Sequence, residues 1–269
     1  MKLKDKKLFL LDMDGTIYLD DRLFDGTTEF LQHIKQIGGR YLFLTNNSSK
    51  GVDAYVQKLN KLGIDARAED FLTSVDATAT FLKERYGNDY GSRKIYVLGT
   101  KSFRKQLIDE GFSVVTEPEK DVKTLLIGFD RELTYKKLED ACILLGRDVE
   151  YFATNPDWVC PTEFGSVPDC GSMCQMLEHA TGRMPYFIGK PQPDMALMAM
   201  LKTGYKAEET MLIGDRLYTD IACGVNAGID TCFVLSGEGT VDDIEKFNIK
   251  PTYILEDINE LLRRIKNEA

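Results

Sequence analysis

The chain has 269 residues, 43% of them hydrophobic and 29% charged, with a formal net charge of −9. That length and apolar share suffice for one large hydrophobic core or two smaller ones. The acidic excess argues against a nucleic-acid-binding face, which needs clustered Lys and Arg, and no apolar run is long enough to cross a membrane.

The first residues, MKLKDKKLFLLDMDG, turn from basic to apolar but meet an acid after four apolar residues, too soon for a signal peptide. Six cysteines, Cys142, Cys160, Cys170, Cys174, Cys223 and Cys232, lack paired metal spacing and read as reduced core thiols of a cytoplasmic protein. Cys170 and Cys174 could share a helix side, but two histidines do not complete a zinc site.

In chain order, a strand at KLFLLDMDG is followed by a helix from Gly26 to Gly38, a strand at RYLFLTNNSS, and helices from Gly51 to Leu62 and Val75 to Tyr86. Next come KIYVLGT, a helix from Lys101 to Glu110, TLLIGFD, a helix from Tyr135 to Leu145, VEYFATNPD and a helix from Gly171 to Thr181. The chain closes with PYFIGKP, a helix from Asp194 to Thr203, ETMLIGDR, a helix from Tyr218 to Ala227, DTCFVLSG and a helix from Val241 to Phe247. Glycines at 38–39, 63, 111, 146, 182, 204 and 228 fit helix exits. This alternation predicts an α/β fold of parallel sheets with helical crossovers. There is no fixed-period repeat, and soft boundaries fall near 86–92 and 181–185.

In such sheets ligands sit at the carboxyl ends of the strands, where four polar clusters occur. Asp12 and Asp14 alternate around Met13 and can share one mouth; two close carboxylates suit a divalent cation, or form a solvated turn before Gly15. Thr45, Asn46, Asn47 and Ser48 offer hydroxyls, amides and backbone N–H groups to a phosphate, or cap the next helix. Lys190, between Gly189 and Pro191, is either a fixed cation at a strand exit or an exposed surface lysine. Asp215 can ligate a metal with Asp220 behind it, or simply cap a helix. Their succession, acid pair, Thr, Lys, acid pair, each after an apolar strand, is hard to assign to coincidence.

Asp12-Met13-Asp14-Gly15-Thr16, Thr45-Asn46-Asn47-Ser48, Gly189-Lys190-Pro191 and Gly214-Asp215-Arg216 with Thr219-Asp220 resemble the four motifs of the haloacid dehalogenase (HAD) superfamily. The TNNSS, GKP and GDRxxTD forms resemble its NagD-like, p-nitrophenyl-phosphatase-like branch, over essentially the whole chain. The resemblance implies a doubly wound, Rossmann-like parallel-sheet core, residues 1–77 and 183–269, interrupted by an inserted α/β cap domain, residues 78–182. It also implies a phosphate-ester hydrolase: Asp12 the nucleophile, Asp14 the general acid and base, and Mg²⁺ held by Asp12, the Asp14 main-chain carbonyl and Asp215. Gly15, Thr45, Asn46 and Lys190 would bind phosphate, and Asp220 would orient metal waters or Lys190.

In the cap, Asn155 and Asp157 look like the branch's NPD segment, and Trp158, the only tryptophan, could stack on a substrate ring or serve packing. Asp169 stands near a position where the branch commonly carries glycine, so its carboxylate could enter the pocket, favouring substrates with hydroxyl or amine groups and disfavouring extra negative charge. The implied substrate is a small phosphate monoester, a sugar phosphate or nucleoside monophosphate, with no nucleic acid or membrane partner and a homodimer formed through the cap. Dehalogenation has no use for Asp14, phosphomutases generally carry smaller caps, and a silent binding or regulatory relative would be expected to lack one of Asp12, Asp14, Lys190 or Asp215.

Overall fold

The computed structural model describes residues 2–162 and 164–268. The chain divides into two compact units, one comprising Met1–Thr45, Val52–Leu72 and Lys190–Ala269, the other Asn46–Gly51 and Thr73–Gly189.

The first segment runs β1 (Leu8–Leu11), a small hairpin of β2 (Tyr18–Leu19) and β3 (Arg22–Leu23), α1 (Thr27–Gln36), β4 (Arg40–Thr45), α2 (Val52–Lys61) and β5 (Phe71–Thr73). The second unit continues with α3 (Ser74–Tyr86), β6 (Lys94–Leu98), α4 (Lys101–Asp109), β7 (Ser113–Val115), β8 (Thr124–Ile127), α5 (Tyr135–Leu145) and β9 (Glu150–Ala153). A hairpin of β10 (Val159–Thr162) and β11 (Gly165–Pro168), α6 (Cys170–Thr181) and β12 (Tyr186–Phe187) follow. The first unit then resumes with α7 (Asp194–Thr203), β13 (Thr210–Gly214), a π-helical turn at Leu217–Ile221, α8 (Ala222–Asn226), β14 (Asp230–Val234), α9 (Asp242–Phe247), β15 (Tyr253–Leu255) and α10 (Ile258–Glu268).

The first unit's sheet has the order β15-β14-β13-β1-β4-β5. All four residues of β1 are buried and apolar, as a central strand covered on both faces requires. Leu11 pairs in parallel with both Ile213 and Phe43, so β1, β4 and β13 end at the same edge. The chain first adds β4 and β5 on one side of β1, then returns to the other side with β13, β14 and β15. The switch point therefore lies between β1 and β13, where a crevice opens at the strand ends of a doubly wound sheet.

The second unit has its own sheet, β12-β9-β8-β6-β7, with parallel pairs throughout. Each unit buries its own core, with Phe9, Phe30, Phe43 and Ile213 in the first and Tyr96, Leu125, Phe129 and Leu177 in the second.

Most expected elements form within a residue or two of their expected limits, and three details differ. PYFIGKP contributes Tyr186–Phe187 to the second sheet, beside Phe152 and Ala153, rather than to the sheet that carries Asp12. The helix expected from Tyr218 is a π turn leading into α8, because the amides of Asp220 and Ile221 both donate to Arg216 O. Gly146 ends α5 with φ −73, without the left-handed conformation that Gly182 and Gly204 adopt at the ends of α6 and α7. Among the described residues, no helix is long and apolar enough to cross a membrane.

Candidate active site

Asp12 and Asp215 each stand one residue beyond a strand, at the two lips of the switch point. The parallel ladder reaches Asp12, whose N–H donates to Ile213 O at 2.9 Å. Lys190 ties this edge together: its Nζ donates to Asp12 Oδ1 at 2.6 Å, Asp220 Oδ1 at 2.6 Å and Leu44 O at 3.1 Å. Each of these is a bond that an ammonium N–H can donate. The Lys190 side chain is 2% exposed, so it is a buried cation rather than a surface lysine.

Asp220 meets Lys190 from within the π turn, a distortion that recurs at functional positions. Its second oxygen accepts from Arg216 N–H at 3.1 Å. Asp215 accepts from Glu238 N–H at 2.7 Å and, more weakly, from Thr16 Oγ1 at 3.4 Å. Gly15 holds φ +88, and a Cβ there would collide with the Asp215 carboxylate. Close approach of these two loops therefore depends on glycine.

Charge in this cluster is unbalanced. Oxygens of Asp12, Asp215 and Asp220 lie within 4.8 Å of one another, and among the described residues this is the group of His, Cys, Asp or Glu able to hold a metal ion. Burial, then the Asp220 carboxylate, pushes the Asp12 pKa well above the usual carboxylate range, although Lys190 pulls it back. Burial and Asp220 push Asp215 up to about 7. Burial disfavours the Lys190 ammonium, but the charges of Asp12 and Asp220 outweigh it and raise its pKa. Three carboxylates against one ammonium leave two negative charges when all are ionised. A divalent cation would supply the missing charge, and an all-oxygen donor set fits a hard ion.

Asp14 is held differently. Its Oδ2 accepts from the Tyr18 hydroxyl at 3.3 Å, and its Oδ1 lies 3.8 Å from Lys58 Nζ on α2. Burial first, then the charge of Asp14, pushes the Tyr18 phenol pKa well up, so it stays a donor. Thr45 is the buried last residue of β4.

The remaining expected site residues gather in the second unit. Asn46 Nδ2 donates to Asp157 Oδ2 at 2.9 Å, and Asn155 Nδ2 donates to the same oxygen at 2.7 Å and to Asp169 Oδ1 at 3.2 Å. Asp169 also caps α6 by accepting from Cys170 N–H. All four side chains are buried. Trp158 is 44% exposed. The six cysteines are free thiols, with Cys170, Cys174, Cys223 and Cys232 buried.

Tyr18, Lys58 and the loop Ser236 to Gly239 also belong to this picture but were not singled out from sequence, and Thr16 stood in the first motif without a role. Ser236 Oγ donates to Gly15 O at 2.7 Å, and Arg216 Nε pairs with Glu238 at 2.8 Å. The signal for the loop was present: SGEG is a fifth polar cluster after an apolar strand, the one ending at Val234. Tyr18 and Lys58 carry no such signal, because only the folded hairpin and helix bring them to Asp14.

A doubly wound sheet with an acidic pair on one side of its switch point, a buried lysine and a further acidic pair on the other is the arrangement of HAD-type hydrolases. The family model described as haloacid dehalogenase-like hydrolase matches residues 9–113, and a second, HAD-hydrolase-like, matches residues 187–261. A 4-nitrophenylphosphatase from Thermotoga maritima has a solved structure that superposes with a TM-score of 0.89 at 40% identity, covering 98% of both chains. The acid sugar phosphatase of Staphylococcus aureus is 33% identical over 98% of this chain and 100% of its own length. A glycerol phosphate phosphatase from Mycobacterium tuberculosis, solved in complex with calcium, superposes with a TM-score of 0.87 at 28% identity, covering 97% of this chain and 76% of that one. The chain belongs to the haloacid dehalogenase-like hydrolases, in their NagD-like, p-nitrophenylphosphatase-like branch, and is a phosphoric monoester hydrolase.

Proposed function

We propose that the protein is a Mg²⁺-dependent phosphatase of small phosphate monoesters, of the sugar or polyol phosphate or nucleoside monophosphate class, working through an aspartyl-phosphate on Asp12. The observation that carries this reading is the switch-point cluster, in which Lys190 bonds Asp12 and Asp220 at 2.6 Å while Asp215 completes a carboxylate set with uncompensated charge.

Asp12, Asp215 and the main-chain carbonyl of Asp14 would hold Mg²⁺, which lowers the repulsion between an anionic nucleophile and an anionic ester. Lys190 holds one Asp12 oxygen at 2.6 Å and so fixes which lone pairs of the carboxylate face the substrate. Asp12 forms an O–P bond as the bond from phosphorus to the leaving oxygen breaks, and Asp14 gives that oxygen its proton. Asp14 then takes a proton from water as the water attacks phosphorus, the Asp12–phosphorus bond breaks, and inorganic phosphate leaves. Thr45 and backbone N–H groups beside it would hold the phosphoryl oxygens.

The inserted segment, residues 78–182 as the family resemblance implies, would serve as the cap domain that sets leaving-group choice. The relatives named for sugar and glycerol phosphates support a polyol leaving group. Phosphate release from a panel of sugar, polyol and nucleoside phosphates, with Mg²⁺ and with EDTA, tests the proposal. Turnover that persists in EDTA, or full activity of Asp12→Asn, would refute it.

A further inference from the structure

The nucleophile and the acid/base are secured in different ways. Asp12 is 15% exposed at its side chain and pinned by the buried Lys190. The Asp14 side chain is 37% exposed. An aspartate that open samples several rotamers unless other groups hold it, and a proton donor acts only within hydrogen-bond reach of the oxygen it serves.

Among the described residues, two side chains hold Asp14, one at each oxygen. Tyr18 lies four residues on, across the tight loop in which Asp14 and Tyr18 form a β-bridge and Gly15 N–H donates to Tyr18 O at 2.8 Å. Its buried ring presents the hydroxyl to Oδ2 at 3.3 Å. Lys58 comes from α2, with Nζ 3.7 Å from the Tyr18 ring centroid and 3.8 Å from Asp14 Oδ1. Ring, ammonium and carboxylate thus form a closed triangle, in which the cation is seated on the aromatic face and aimed at the acid.

We infer that Lys58 and Tyr18 are positioning residues that clamp the Asp14 carboxyl, one per oxygen, in the orientation needed to protonate the leaving group. This rests on the reading of Asp14 as acid and base, and goes beyond it by assigning the work of α2 and of the hairpin tyrosine.

The test uses the leaving group. A nitrophenolate departs readily without a proton, whereas an alkoxide needs one. The ratio of kcat/KM for glycerol phosphate to kcat/KM for p-nitrophenyl phosphate reports how well Asp14 delivers its proton, because kcat/KM covers steps only up to departure of the leaving group. Lys58→Met keeps the stem and removes the charge; it is expected to lower that ratio about tenfold, part of the contribution typical of general acid catalysis. Tyr18→Phe is expected to shift it in the same direction, and Lys58→Arg to restore it. Equal loss on both substrates, or no change in the ratio, would make Lys58 a packing residue and overturn the inference. Asp14→Asn, measured alongside, separates the two levels: if it too leaves the ratio unchanged, the acid/base reading of Asp14 fails; if it alone lowers the ratio, only the clamp fails.

Discussion

Replacing Asp215 by Asn in metal-free protein should remove its own share of a pH-dependent loss of stability that the carboxylate cluster imposes, leaving the share that burial and Asp220 impose through Asp12. Asp215 titrates near 3.8 when free and is pushed up to about 7 here, first by burial and then by Asp220. Below ~4 it is protonated folded or unfolded and costs nothing. As pH rises toward 7 the unfolded chain ionises while the folded one keeps its proton, so stability falls; above about 7 the penalty is complete. At ~1.4 kcal/mol per pH unit, the gap amounts to ~4 kcal/mol as an upper bound, since Asp12 and Asp220 share the repulsion. A pair of unit charges at the 4.8 Å limit of the cluster interacts by ~3 kcal/mol at an effective dielectric of ~20, the same order. Asparagine still accepts from Glu238 N–H, so the loop contact survives. Urea unfolding in EDTA should show the variant gaining ~3 kcal/mol on the wild type between pH ~4.5 and ~7.5. Added Mg²⁺ should stabilise the wild type but not the variant. Parallel pH profiles for the two proteins would refute the reasoning.

Lys190→Met should abolish turnover and, in EDTA at neutral pH, destabilise by ~3 to 5 kcal/mol, because it strands Asp12 and Asp220 as buried charges; adding Asp220→Asn should recover part of that loss in the same denaturation assay. Gly15→Ala forces a side chain into φ +88 and against Asp215, so a drop in thermal midpoint equivalent to ~1 to 3 kcal/mol should accompany weaker Mg²⁺ binding by calorimetry. Asp169→Ala removes the α6 cap and should cost ~1 kcal/mol of stability. Its relative kcat/KM for substrates with and without an additional anionic group should stay as in the wild type, because the Asp169 carboxylate is already engaged by Asn155 and Cys170.

Much of the first unit was legible because strand exits in a parallel sheet speak in polar residues. Asp12, Lys190, Asp215 and Asp220 all stood out as polar residues after apolar runs, and all four meet. What sequence could not give is which sheet a two-residue strand joins: Tyr186 and Phe187 are equally apolar in either, and only the pairing with Phe152 and Ala153 decides. Asn46 reads as a phosphate donor from its place after β4, and what sequence does not show is that its amide also donates to Asp157, more than a hundred residues away in sequence. The π turn at Leu217 was hidden because a one-residue widening barely disturbs helical periodicity. The C-terminal helix α10 was legible but overlooked; Ile258, Leu261, Leu262 and Ile265 recur at helical spacing and are all buried.

Whether phosphoryl is carried by Asp12 is decided most directly by acid-quenching the Mg²⁺-loaded enzyme during turnover and locating the modification by peptide mass spectrometry. The wild type should carry one phosphoryl group on the peptide that contains Asp12, labile to hydroxylamine, and Asp12→Asn should carry none and release no phosphate above background. Rapid phosphate release with no covalent phosphoryl group on that peptide, or undiminished turnover by Asp12→Asn, would contradict the role given to Asp12.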